Sequence, residues 1–292
     1  MAPADPMGSN LRPDEAGVFA DLTVWPVDVV AAAVVDHNGV LAAHGPLDRP
    51  FALASVTKVL VATAALIAVE EGTLDLDEPA GPPGATIRHL LAHASGLAPD
   101  DDKVVAAPGT RRIYSNHGFE VLGRAFATAS GLPVATYLHE AVCEPLGLTD
   151  TLLDGSPAHG ARSTARDLAR FATELLRPTL LAPTTLEEAT NPVFAELAGV
   201  LPGFGRQDPN PWGLGFEIRG NKSPHWTGRM NSPRTFGHFG RAGTFCWIDP
   251  LAGIGCVVLT DTTFGPWAID AWPVFGDAVV ARFAWRSTRS AG

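Results

Sequence analysis

Residues 54–72 read A-S-V-T-K-V-L-V-A-T-A-A-L-I-A-V-E-E-G, and the fold turns on how this stretch is read. Between Val56 and about Glu71 apolar residues fall on nearly every face of a helix, Ala and Leu favour helical backbone, and Gly72 stands where a helix would end. A helix that is apolar all round belongs in an interior, with other elements wrapped about it. Its most apolar part, Val59 to Val69, is eleven residues long and stops at Glu70 and Glu71, short of the ~20 that a bilayer crossing requires. Lys58 lies inside this helix, where a charged ammonium is costly to desolvate and where an arginine would never lose its proton.

Working outward, V-V-A-A-A-V-V-D (29–36) and V-L-A-A-H (40–44) flank Asn38-Gly39, which predicts a β-hairpin. Downstream, T-I-R-H-L-L-A-H-A-S-G (86–96) reads as a short helix closed by Gly96, and a loop from Pro99 to Gly109 leads to R-R-I-Y-S-N-H-G-F-E-V-L-G (111–123). Further helices follow, one of them capped by Thr164 with Asp167 in capping-box spacing. Pro, Gly and Asn crowd together at 199–212, and strand-like runs then occupy 213–219, 236–249 and 253–261. Pro273 is expected in the first turn of a last helix reaching about Trp285. The order strands, helices, strands, helix predicts an α+β fold, with an antiparallel sheet built from both chain ends, flanked by helices, and an inserted helical subdomain. One catalytic domain over 1–292 is expected, with 1–75 and 200–292 forming the sheet part and 76–199 the mainly helical part.

The 292 residues are 46% hydrophobic and 18% charged, a composition for a soluble globular protein. With 21 basic against 31 acidic residues, net charge −10 and no Lys/Arg run, nucleic acid is excluded as a partner. Cys143, Cys246 and Cys256 are too few for a disulfide framework and lack zinc spacing, so burial is their expected role. The start, M-A-P-A-D-P-M-G-S-N-L-R-P-D-E, has acids and prolines where an export signal carries a basic start and an apolar core, which predicts a cytoplasmic protein without a membrane partner.

Lysine occurs only as Lys58, Lys103 and Lys222, and Ser55 stands three residues before Lys58. At about 100° per residue the two side chains share one helix face on adjoining turns. A serine hydroxyl is a weak nucleophile until a neighbour takes its proton, and a lysine whose pKa falls from about 10.4 to near 7, at a cost of about 4 kcal/mol, can do so. The same residues also fit a snorkelling lysine beside a helix-capping serine. Tyr114-Ser115-Asn116 contains one of only two tyrosines, and His238-Phe239-Gly240 sits on a strand-like run.

Together and in this order, S-V-T-K, Y-S-N and H-F-G resemble the serine β-lactamase and penicillin-binding protein superfamily, nearest its class C and D,D-peptidase-like branch. T-I-R-H-L-L-A-H-A-S-G-L, P-G-T-R-R-I-Y-S-N, A-R-S-T-A-R-D-L-A-R-F and G-H-F-G-R-A-G-T-F-C-W-I-D-P extend the likeness over about 28–285. The resemblance implies that Ser55 is the acylated nucleophile, Lys58 its proton acceptor and Tyr114 a proton relay to the leaving group. Asn116 would bind the substrate's acyl side chain, and the backbone N–H groups of Ser55 and Arg241 would form the oxyanion hole. His238 and Gly240 would line the substrate strand, His238 where many relatives carry lysine. Histidine is a weaker anchor for a carboxylate, and Phe239 replaces a small hydroxyl residue, so an ester or hydrophobic amide fits better than a β-lactam. His89 and His93, at i and i+4, are expected to be scaffold and not metal ligands, since no glutamate completes H-E-x-x-H. Trp212, Trp226 and Trp247 line a cleft or fill the core.

The expected function is a serine hydrolase acting through an acyl-enzyme on Ser55, on a small ester, amide or peptide, with neither metal nor organic cofactor. The alternatives are a D,D-carboxypeptidase or weak class C-type β-lactamase and, from another class, a penicillin-binding-like sensor or scaffold with little turnover.

Overall fold

The computed structural model describes residues 13–287, with side chains for 17–284. Residues 1–12, on which the export reading rests, lie outside this range, as does the Trp285 side chain. Strands β1 (Val30–Asp36), β2 (Gly39–His44) and β3 (Phe51–Ala52) precede a 3₁₀ turn, Ala54–Val56, and helix α1 (Thr57–Glu70). Helices α2 (Ile87–Leu91), α3 (Asn116–Ser130), α4 (Val134–Leu138) and α5 (Glu144–Leu146) follow, then β4 (Leu152–Leu153), β5 (Ala161–Ser163), α6 (Ala165–Leu176) and α7 (Pro183–Ala189). Strands β6 (Gly199–Leu201), β7 (Gly205–Gln207), β8 (Glu217–Ile218), β9 (Phe236–Gly240), β10 (Thr244–Asp249) and β11 (Ile254–Thr260) lead to α8 (Pro266–Ser287).

The main sheet runs β2-β1-β11-β10-β9-β8 and is antiparallel throughout, so the expected α+β fold with a sheet from both chain ends is what forms. Chain ends meet where β1 pairs β11, from Val30 opposite Thr260 to Val35 opposite Gly255. Side chains alternate across the sheet. Ala31, Ala33, Val35, Val257 and Leu259 pack with α1 and with Leu168, Phe171 and Leu175 of α6. Ala32, Val34, Cys256, Val258, Phe245 and Trp247 pack with Trp272, Phe275 and Val279 of α8. Burial on both faces explains the unbroken apolar runs of β1 and β11.

Helix α1 is buried from Thr57 to Ala68 without interruption, as its all-round apolarity requires. Each of its fully buried Val, Leu and Ile side chains contributes roughly 1.5–3 kcal/mol. Its alanines let other backbone come close: a Cβ on Gly215 would lie 2.2 Å from the Ala62 Cβ. Gly72, φ +71°, follows the helix end in left-handed backbone as expected.

Three local expectations are corrected. The hairpin turn is His37–Asn38, because Asp36 Oδ1 accepts from Asn38 N at 2.7 Å and Gly39 already pairs opposite Asp36. Helix α2 ends before His93, φ +53°, and not at Gly96, because His93 Nδ1 must accept from Ser115 N at 3.1 Å. Pro273 lies inside α8, whose first residue is Pro266, because the apolar face from Ala268 to Phe283 runs on through it. Helix α6, within the mainly helical part, packs on β1 and β11, because its apolar stripe faces the sheet. Thr164 does cap α6, accepting from Asp167 N at 3.1 Å, but the Asp167 carboxylate accepts from Asp150 N and Thr151 instead of reaching back. Among the described residues no helix is long and apolar enough to cross a membrane.

Candidate active site

Ser55 lies in the 3₁₀ turn that opens α1, directly after Ala54, whose φ of +46° strains a residue bearing a Cβ. Three attachments hold that turn. Leu53 N donates to Ala161 O at 2.9 Å, Thr244 Oγ1 donates to Leu53 O at 2.8 Å, and Gly240 abuts the same carbonyl. A Cβ on Gly240 would sit 2.2 Å from Leu53 O, so only glycine lets the end of β9 approach the nucleophile's turn. Gly240 is thus placed against backbone and not along the cleft wall.

Lys58 follows one turn later with 0% of its surface exposed. Its Nζ is 3.3 Å from Ser55 Oγ, 2.7 Å from Asn116 Oδ1 and 2.8 Å from Ala158 O. The Tyr114 hydroxyl donates to Ser55 Oγ at 2.6 Å, and the Lys58 Nζ lies 4.7 Å from the centre of the Tyr114 ring. Burial lowers the Lys58 pKa well below its ordinary value, against the opposing pull of Asp100 and Glu120. Burial raises that of Tyr114. Both groups are therefore biased towards their neutral forms.

His238 stands on β9 with 3% exposure, its Nδ1 donating to Phe239 O at 2.7 Å and its Nε2 without a hydrogen-bond partner among the described residues. Burial, with Lys58 adding to it, pushes its pKa down to about 3. At neutral pH it is uncharged and presents no cation to a carboxylate. His93 lies behind Tyr114, ring centres 4.6 Å apart, and edge-on to Trp212 at 4.6 Å. Burial lowers its pKa too, followed by Lys58 and His238. His89 is engaged apart from it, its Nδ1 2.9 Å from Thr86 Oγ1 and its ring stacked on Phe194.

The sequence expectations Ser55, Tyr114 and Asn116 are thus gathered around Lys58, and Arg241 lies with Ser55, Tyr114, Asn116 and His238 along one cleft of about 270 Å³. Apolar side chains of Leu201, Pro202, Trp212, Phe239 and Phe264 supply much of its wall. Of the three tryptophans considered, Trp212 lines this cleft, Trp226 donates to Glu217 Oε2 at 2.8 Å and Trp247 fills the core beside α8.

Several residues here carried no sequence signal. Glu217 borders the cleft, buried, and pairs with Lys222 and with His225 Nε2 at 3.0 Å. Burial alone would raise its pKa, but His225 and Lys222 outweigh this and hold it well below the usual carboxylate range. The Arg112 guanidinium, two residues before Tyr114, donates to the carbonyls of Asn210, Ala92, Val193 and Phe194 and so ties three loops to the Tyr114 segment. Within the Y-S-N triplet singled out in the sequence, Ser115 caps α3 by accepting from Gly118 N at 2.8 Å, next to the Asn116 that meets Lys58.

A crystal structure described as a β-lactamase from Mycobacterium bovis is 57% identical, covers 91% of this chain and 99% of its own, and superposes with a TM-score of 0.90. EstCE1, described as a hydrolase with promiscuous acyltransferase activity, shares the fold at 19% identity and a TM-score of 0.75, over 90% of this chain and 97% of its own. A D-alanyl-D-alanine-carboxypeptidase/endopeptidase of Escherichia coli K12 is 29% identical over 148 residues, 38% of either chain, so the match spans well under half of that relative. The sequence profile of the beta-lactamase family covers residues 27–275, the stretch that contains the serine, lysine and tyrosine gathered at the cleft, and the chain belongs to that family.

Proposed function

We propose that the protein is a serine hydrolase that forms an acyl-enzyme on Ser55 and cleaves a small, uncharged ester or amide with an apolar acyl group. The observation that carries this reading is the bonding of Lys58. Its Nζ has two pure acceptors, Asn116 Oδ1 and Ala158 O, and one neighbour, Ser55 Oγ, that can donate. A neutral amine has two N–H donors and a lone pair. The carbonyls take the donors, and the lone pair is left for the Ser55 proton, while Tyr114 donates to the same oxygen.

On this reading the Ser55 proton passes to Lys58 as Oγ attacks the acyl carbon. The developing oxyanion meets the N–H of Ser55, which lies in a first helical turn where N–H groups lack intrahelical partners, and the N–H of Arg241, just beyond the last β9–β10 pair. Tyr114 protonates the leaving oxygen or nitrogen and is recharged from the Lys58 ammonium. Water then attacks the ester on Ser55, giving its proton back through the same groups, and the acid is released. Neutral His238 and the apolar wall favour substrates without a carboxylate.

One observation favours the second reading, a D,D-carboxypeptidase or weak class C-type β-lactamase. Arg241 is an exposed residue that borders the cleft and has no acid partner among the described residues, so its cation can serve a carboxylate where His238 does not. A fluorophosphonate should add mass to the peptide holding Ser55 and fail to do so in Ser55→Ala, and labelling elsewhere overturns the reading. Nitrophenyl esters, nitrocefin and D-Ala-D-Ala peptides assayed side by side should rank the neutral esters first. Peptide turnover that dominates and is lost in Arg241→Ala supports the second reading, and acylation without turnover supports a sensor.

A further inference from the structure

We propose that Asp100 and Glu120 are positioning residues for Lys58: through intervening groups, each acid holds one of the two carbonyl oxygens that accept from the lysine Nζ, leaving its remaining tetrahedral direction for Ser55 Oγ. This inference rests on the reading of Ser55 as the acylated group and deepens it.

The first arm runs through Asn116. A side-chain amide can present either end to a neighbour, and only its hydrogen-bond partners decide which. Asn116 Nδ2 donates to Asp100 Oδ1 at 2.8 Å, and a carboxylate accepts only, so Asp100 claims the NH₂ end and turns the carbonyl onto Lys58. Asp100 is held in place by its own loop. Asn116 N and His117 N donate to Pro99 O at 2.7 and 3.1 Å, Ser115 Oγ donates to Ala98 O at 2.6 Å, and Ala98 N donates to Lys103 O at 2.8 Å. The loop is strapped to the start of α3, whose positive end also favours a carboxylate there.

The second arm runs through a tight turn. Ser156 Oγ donates to Glu120 Oε1 and accepts from Ala158 N at 3.0 Å, and Ala158 O is the lysine's other acceptor. The turn is closed by Gly160 N donating to Ser156 O at 2.7 Å, and a Cβ on Gly160 would lie 2.6 Å from Ser156 N. The peptide unit that presents Ala158 O donates its own N–H, that of His159, to Ser156 O at 3.2 Å, so Ser156, whose side chain Glu120 holds, fixes the peptide units on both sides of Ala158.

The acids also act electrostatically. The titratable groups around Lys58 are Asp100, Glu120, Tyr114, His93 and His238. Burial lowers the pKa of each histidine and raises that of Tyr114, so all three favour their neutral forms. Asp100 and Glu120 are the two groups that pull the lysine back towards its charged form. Removing either charge favours the neutral amine, so the limb of activity that rises with pH moves to lower pH.

The test uses the full chain with a p-nitrophenyl ester and a fluorophosphonate, on wild type, Asp100→Asn, Asp100→Ala and Glu120→Gln. Asp100→Asn and Glu120→Gln should each move the rising limb of kcat/KM down by about half a pH unit or more. The Asp100→Asn shift should shrink in 1 M salt because that carboxylate is exposed. Asp100→Ala, which removes the acceptor that orients Asn116, should lower the plateau rate about tenfold further than Asp100→Asn does. Rising limbs of Asp100→Asn and Glu120→Gln that coincide with wild type, while Ser55 is still labelled in wild type, overturn the proposal and leave the acyl-enzyme reading intact. Absence of label on wild-type Ser55 overturns that reading itself. Should Glu120→Gln fail to fold, exposed Asp100 decides the matter alone.

Discussion

His238 occupies the place where the resemblance led one to look for lysine, and burial makes the difference larger than the change of residue type implies. A free histidine would be partly charged at neutral pH, whereas this one is pushed down to about 3 and is neutral throughout the working range. His238→Lys should therefore raise kcat/KM for carboxylate-bearing substrates relative to neutral esters, and an unchanged ratio would remove the anchoring argument. The introduced cation should also disfavour the Lys58 ammonium and move the rising pH limb lower. Lys58→Met makes the converse point. Activity should fall by about 10²–10⁴, the usual range for losing a general base, while the thermal midpoint holds or rises because a fully buried amine is costly to desolvate. A midpoint several degrees lower would show that Lys58 is structural. At this scale the sequence was most informative. Scarce lysine and tyrosine marked Lys58 and Tyr114, but nothing marked Asp100 or Glu120, which carry no unusual spacing and gain meaning only from what lies opposite them.

Among the elements, the join between β9 and the Ser55 turn is the most exacting. Gly240→Ala would place a methyl group 2.2 Å from Leu53 O and push apart the two segments that hold the Ser55 and Arg241 N–H groups. Loss of one oxyanion donor costs about 10²–10³ in kcat, and Gly240→Ala should show at least the lower figure with its far-UV circular dichroism kept. Near-normal kcat would mean that these N–H groups do not bind the oxyanion. Helix α1, the cap at Thr164 and the glycine after Glu71 were readable because each depends on a few neighbouring residues. The end of α2 was not. A histidine in left-handed backbone is unfavourable locally, and His93 adopts it because Ser115 N, Tyr114 and Trp212, distant in sequence, close around its ring. Pro273 misled for a related reason: an interior proline removes one helical hydrogen bond, but the apolar face that α8 buries on both sides of it keeps the helix going.

For the molecule as a whole, three buried histidines, His93, His225 and His238, have pKa values lowered chiefly by burial. Each binds its proton less readily in the folded chain than in the unfolded one, where an ordinary histidine takes up a proton below about pH 6.5. The unfolded chain then binds more protons than the folded one, so stability falls as pH drops through that value. Denaturant unfolding at pH 7.5 and 5.5 should differ by more than about 1 kcal/mol in the direction of lower stability at pH 5.5, and equal midpoints would contradict the burial of these rings. By itself the sequence determined the apolar central helix, the sheet drawn from both chain ends and the order of the S-V-T-K, Y-S-N and H-F-G triplets, because these follow from periodicity and residue chemistry along the chain. Only the tertiary structure decided that His238 is uncharged, that Arg112 and the Glu217–Lys222 pair brace the cleft, and that two acids stand behind the acceptors of Lys58. Those properties come from desolvation and from contacts between residues far apart in sequence, such as Lys58 with Ala158, a hundred positions on, and no local pattern encodes them.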